Sequence, residues 1–98
     1  MQFIVTGYDG NDDKALERRM NAREAHLNMV DEMIEKGHDL YAAALLDESG
    51  NMKGSMMVVE FASREQLDAW LKVEPYIINN VWQRVEIVEC KVAAAFVK

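Results

Sequence analysis

The sequence predicts an α+β fold in which two helices cover one face of a four-stranded antiparallel sheet. Three observations lead there. Extended and helical signals alternate in the order βαββαβ, the 98 residues suit a single domain spanning 1–98, and half of them are hydrophobic. An apolar content that high in so short a chain needs more cover than the chain can give itself, which points to an oligomer.

Phe3-Ile4-Val5-Thr6 is β-branched and aromatic and ends at Gly7, with turn residues at Asp9, Gly10 and Asn11, so it reads as the first strand and its loop. A long helix follows. Asp12 or Asp13 can cap it, Glu17 suits its N-terminal end, and Lys36-Gly37 supplies the basic residue and glycine stop. Leu16, Met20, Leu27, Val30 and Ile34 fall within about 40° of one line at 100° per residue, the stripe expected to pack on the sheet.

Asp39 to Asp47 and Gly54 to Phe61 are two strands joined by Glu48-Ser49-Gly50-Asn51, whose Gly and Asn tolerate the positive φ of a tight hairpin. Ser63-Arg64-Glu65-Gln66 has capping-box spacing and opens a second helix through Leu67, Trp70 and Leu71, ended by Pro75. Tyr76 to Asn80 allows one helical turn. Gln83 to Val92 is the fourth strand, with an apolar tail to Phe96. This order is that of ferredoxin-like domains.

Leu40 to Leu46 and Met56 to Val59 do not alternate apolar with polar, so both faces of these strands need cover. Two helices cover one. The other is expected to meet a second copy of the chain across a two-fold axis, giving a homodimer through the sheet face.

A net charge of −6 lacks the cationic surplus that drives phosphate contact, so neither nucleic acid nor an anionic membrane is an expected partner. The apolar runs fall far short of the ~20 residues that span a bilayer, and Met1-Gln2-Phe3-Ile4 has no basic leader, so the expected location is cytoplasmic. Cys90 is the single cysteine, which excludes an intrachain disulfide and a CxxC zinc site. Asp9, Asn11 and Asp13 begin like a calcium loop, but Lys14 and Met20 stand where that loop needs glycine and glutamate. Gly7 and Gly10 form no phosphate-binding fingerprint.

Arg23 falls near the centre of the apolar stripe, where a charge needs a carboxylate or a bound anion. His26 lies about 80° from that centre, at the boundary of core and solvent, where imidazole can carry protons. His38 follows the helix-ending glycine and reads as a loop residue.

Arg23-Glu24-Ala25-His26-Leu27, the hairpin from Leu46 to Ser55, and Phe61 to Trp70 leading into Glu74-Pro75-Tyr76 together resemble the YCII-related (YciI-like) family across nearly the whole chain. The resemblance implies a dimeric α+β barrel of ferredoxin-like subunits. It also implies a site in which the histidine of Arg-x-x-His pairs with the acid of the acidic-Pro-Tyr motif, here His26 and Glu74. A carboxylate on one ring nitrogen would fix the tautomer and leave the other free as base or acid. Two positions depart from the family pattern, Glu74 in place of aspartate and Ala43-Ala44 in place of a Gly-Pro pair.

Two functions compete at this level. One is a lyase or isomerase that needs no metal or organic cofactor and moves a proton on a small anionic acid, with His26 and Glu74 catalytic and Arg23 and Tyr76 binding substrate. The other is a non-catalytic dimeric module that binds a small ligand or regulates a partner.

Overall fold

A computed structural model describes residues 1–96. Its elements are β1 (Gln2–Asp9), α1 (Ala15–Glu35), β2 (Asp39–Leu46), β3 (Met52–Glu60), α2 (Arg64–Leu71), α3 (Pro75–Ile78) and β4 (Trp82–Cys90), with a 3-10 turn at Ala94–Phe96. The strands form one antiparallel sheet in the order β2-β3-β1-β4, the ferredoxin-like arrangement the sequence order implies.

Alternation along β1 sets the two faces. Phe3 and Val5 are buried opposite Val59 and Met57 of β3, and this side meets Met33 of α1, Leu67 and Trp70 of α2 and Tyr76 of α3. Ile4, Met56 and Val58 turn to the opposite side, where they are half-buried, and Val88 of β4 beside them is 58% exposed. Among the described residues no helix covers that second face. The apolar edge strand β2 is the most open part of the sheet, with Tyr41 and the three alanines Ala42, Ala43 and Ala44 all exposed.

The long helix sits differently from the expectation. Its buried residues are Arg19, Ala22, His26, Val30 and Met33, while Met20 is 50% and Ile34 57% exposed, and Leu16 and Leu27 are also exposed. At 100° per residue the packed face is turned about 80° from the apolar stripe, which puts His26 near its centre. An ion pair and a hydrogen bond permit this, because Asp9 and Glu74 satisfy Arg19 and His26, the two polar side chains that the rotation buries.

Local signals explain three further differences. Lys14, not Asp12 or Asp13, stands at the α1 N-cap with no side-chain cap, and the Asp12 carboxylate instead accepts from the Lys14 amide and the Arg18 guanidinium. Pro75 does not end α2, which stops at Leu71; it opens α3 at the first helical position, where a missing N–H costs nothing. Gly7 does not end β1. It stays in the ladder because the Trp82 indole lies on it, and a Cβ there would sit 2.2 Å from Trp82 Cδ2.

Other signals act as expected. Ser63 caps α2 by accepting from the Gln66 amide at 3.2 Å, although Gln66 returns its side chain to the Ala62 amide. Gly37 and Gly50 take positive φ after α1 and in the hairpin, whereas Asn51 does not. No helix among the described residues is long and apolar enough to cross a membrane.

Candidate active site

Two elements deliver the central pair. α1 presents His26 from its buried face, and the turn after α2 presents Glu74 as the N-cap of α3. Glu74 Oε1 accepts from the Tyr76 amide at 3.2 Å, the capping bond that fixes the carboxylate, and lies 2.5 Å from His26 Nδ1. Glu74 is fully buried. Opposite an ionised carboxylate, which only accepts, Nδ1 is the donor, and in the neutral imidazole Nε2 then keeps its lone pair. Nε2 has no partner among the described residues and is not among the enclosed polar atoms.

Aromatic rings hold the imidazole on two sides. Tyr76 stacks on it with centroids 3.9 Å apart and planes 13° from parallel, and Trp82 meets its edge at 6.1 Å. Burial pushes the Tyr76 hydroxyl above its ordinary value, while the Arg19 and Arg23 guanidiniums pull it partly back.

Arg19 extends the site toward β1 and β3. Its guanidinium donates to both Asp9 oxygens at 3.0 and 3.2 Å and to Ser55 Oγ at 2.6 Å, and it covers the Tyr76 ring at 4.7 Å. Burial raises Asp9 above the ordinary carboxylate range, and Arg19 opposes that rise. Asp39, at the start of β2, is buried with both carboxyl oxygens unpartnered, and burial pushes it up to about 6.

His26, Tyr76, Arg19 and Ser55 border a cavity of about 180 Å³ between α1 and the edge of the sheet. Arg19, Arg23, His26 and Tyr76 give it a polar, cationic side, whereas Leu27, Met52, Met57 and the alanines of β2 give it an apolar one. Arg23 is half-buried on the cavity wall and has no hydrogen bond or ion pair among the described residues, so of the two partners expected for it, a carboxylate or a bound anion, the protein supplies no carboxylate there. His38 is apart from the site, stacking on Phe61 and donating Nδ1–H to the Glu60 carbonyl at 2.8 Å.

The structure thus brings His26, Glu74 and Tyr76 together and sets Arg23 beside the same cavity. Sequence reading marks Asp9 only as a turn residue and a failed calcium-loop start, and does not single out Arg19, Ser55, Trp82 or Asp39. For Arg19 a signal existed: it precedes His26 by seven residues, two helical turns, and therefore shares its face. Nothing local marks Asp9, Ser55 or Trp82 for this site, because long-range strand pairing brings them in.

Residues 1–91 match the sequence profile of the YCII-related domain. The chain belongs to the YCII-related family. Protein YciI of Escherichia coli O6:H1 is 28% identical over 93 residues, covering 89% of this chain and 93% of that protein, and protein YciI of Shigella flexneri matches equally. Among solved structures, 5-chloro-2-hydroxyhydroquinone dehydrochlorinase (TftG) of Burkholderia phenoliruptrix AC1100, in complex with 2,5-dihydroxybenzoquinone, superposes with a TM-score of 0.81 at 17% identity, covering 97% of this chain and 98% of that one. A dimeric ferredoxin-like protein of unknown function from Jannaschia sp. CCS1 follows at a TM-score of 0.54 and 14% identity, covering 93% and 98% of the two chains. Glu74, where the resemblance led to an expectation of aspartate before Pro75-Tyr76, reaches His26 directly.

Proposed function

We propose that this YCII-related protein is a cofactor-independent enzyme of lyase or isomerase type acting on a small anionic acid, with His26 as proton acceptor and donor. The observation that carries this reading is the His26–Glu74 bond, which leaves Nε2 free where the cavity wall is cationic. In the forward step Nε2 takes a proton from an acidic C–H or O–H of the substrate. The electron pair left behind either expels a leaving group or is reprotonated at another atom by the same imidazolium. Glu74 steadies the transient imidazolium, and the Arg23 guanidinium, free of a protein partner, pairs with the substrate's negative charge. Tyr76 stacks on the imidazole and bounds the pocket.

The fold relative that acts on a chlorinated hydroxyhydroquinone supports a planar, oxygen-bearing ring as the substrate shape, and the small cavity suits a single ring. Two chains pair through the open sheet face, covering Ile4, Met56, Val58 and Val88, a reading that the dimeric ferredoxin-like fold relative supports.

Screening small cyclic acids for turnover tests the reading, followed by His26→Ala on the best substrate. Turnover should fall by about 10²–10⁴ with binding retained, the usual share of a general acid–base. Turnover that persists in His26→Ala would remove His26 as the proton carrier, and a protein that binds such acids and transforms none would instead be a ligand-binding module.

A further inference from the structure

Ser55 of β3 is 4% exposed and lines the same cavity as Arg23, His26 and Tyr76. It shares the helix-covered face of its strand with Met57 and Val59, two and four residues further on. Arg19 Nη2 donates to its Oγ at 2.6 Å, and Arg19 Nη1 is held in turn by both Asp9 oxygens at 3.0 and 3.2 Å. A serine hydroxyl has two lone pairs and one hydrogen, and a guanidinium has nothing to accept with. Arg19 therefore occupies an acceptor position of Ser55 and leaves the hydroxyl hydrogen over. That hydrogen has no acceptor among the described residues, and the neighbours across the ladder, Gly7 on β1 and Ala44 on β2, have no polar side chain to offer. A buried donor is costly unless something supplies its acceptor, and here the open side is the cavity.

We propose that Ser55 donates a hydrogen bond to a carbonyl oxygen of the substrate, which makes the substrate class of this site a single-ring oxo acid. The two arginines on the cavity wall divide the work. Arg23 has no protein partner among the described residues and takes the anionic group, whereas the charge of Arg19 is balanced by Asp9, so the Ser55 hydroxyl is left for an uncharged oxygen. The charge-assisted bond from Arg19 draws electron density from Oγ and strengthens it as a donor. This inference rests on reading His26 as the proton acceptor and deepens it. When Nε2 takes a proton from the carbon beside that carbonyl, the C–H bond breaks and its electron pair forms a C=C bond. The carbonyl π pair moves onto oxygen, and the Ser55 hydrogen bond tightens on the enolate. The imidazolium then returns the proton to another carbon, or the enolate collapses and a leaving group departs with its electron pair and takes that proton.

Binding and a carbonyl signal, rather than turnover, separate this inference from the catalytic reading. 2,5-Dihydroxybenzoquinone, which carries carbonyl and acidic oxygens on one ring, is titrated into the wild-type protein and into Ser55→Ala, and its C=O stretching bands are followed by infrared difference spectroscopy. Binding to the wild type should lower the frequency of one carbonyl band. Ser55→Ala should lose that shift and bind about three- to tenfold more weakly. Ser55→Cys, close in volume and with only a weak S–H donor, gives the same comparison if Ser55→Ala fails to fold. Equal affinity with an unchanged carbonyl band in the folded variant would overturn the proposal, as would a wild type that does not bind the quinone. Ser55-dependent binding in a protein that turns over no acid would sink the catalytic reading alone. Turnover with binding indifferent to Ser55 would sink this inference alone.

Discussion

Glu74→Ala would strip two donors of their acceptor at once, the Nδ1–H of His26 and the amide of Tyr76 that starts α3. Both are buried, so the expected loss is about 2–4 kcal/mol, read from denaturant midpoints. Glu74→Gln keeps an oxygen for both bonds and should cost less stability, while turnover falls because no carboxylate balances the imidazolium. Asp39 behaves in the opposite sense. Its folded-state value is raised from 3.8 to about 6, so the native state binds the proton more tightly than the unfolded chain does. The contribution of Asp39 to stability is therefore highest below about 4, falls as pH rises toward about 6, and levels off above. Asp39→Asn should gain about 2–3 kcal/mol at neutral pH and nearly nothing at pH ~4, checked by thermal or chemical unfolding at both. His26 and Glu74 were legible as a pair because family motif and chain order both mark them, whereas Asp39 was not. In the sequence it is one polar residue at the head of an apolar strand, and only packing reveals that it is buried without partners.

At the scale of elements, helical periodicity located α1 but misjudged its rotation. The largest apolar residues predict one packed face, yet Leu16, Met20 and Ile34 are exposed and the buried stripe includes Arg19 and His26. A hydrophobic count treats a charged residue as a surface residue, and it fails where long-range ion pairs neutralise the charge. Asp9 comes from β1 and Glu74 from the α3 cap, so neither pairing is visible within the helix itself. Gly7 was misread in the same way, as a strand end, because the indole lying over it comes from β4. Gly7→Ala should destabilise the protein by about 1–3 kcal/mol or more, since rigid aromatic atoms and the strand backbone leave the methyl no room. Unfolding midpoints of that variant measure it, and a neutral outcome would mean that Trp82 moves readily.

For the whole molecule, strand order and the one-sided helices were legible, because apolar runs and turn residues separate the elements cleanly. The second face was legible only as a need: strands apolar on both sides, and helices enough for one. Two copies joined there should give a solution mass about twice 11.2 kDa by light scattering, and Val58→Lys should shift it toward the single chain. A strict monomer at micromolar concentration would contradict pairing through this face. The central claim, however, concerns one nitrogen. If His26 is the proton acceptor, Glu74 must hold the proton on Nδ1 and leave Nε2 bare toward the cavity. Imidazole ¹⁵N spectra of the wild-type protein at neutral pH, recorded with and without a small cyclic acid such as 2,5-dihydroxybenzoquinone, read this directly. The expected result is a pyrrole-like Nδ1 and a pyridine-like Nε2, with Nε2 moving most on binding; a proton fixed on Nε2 and no response to any such acid would contradict it.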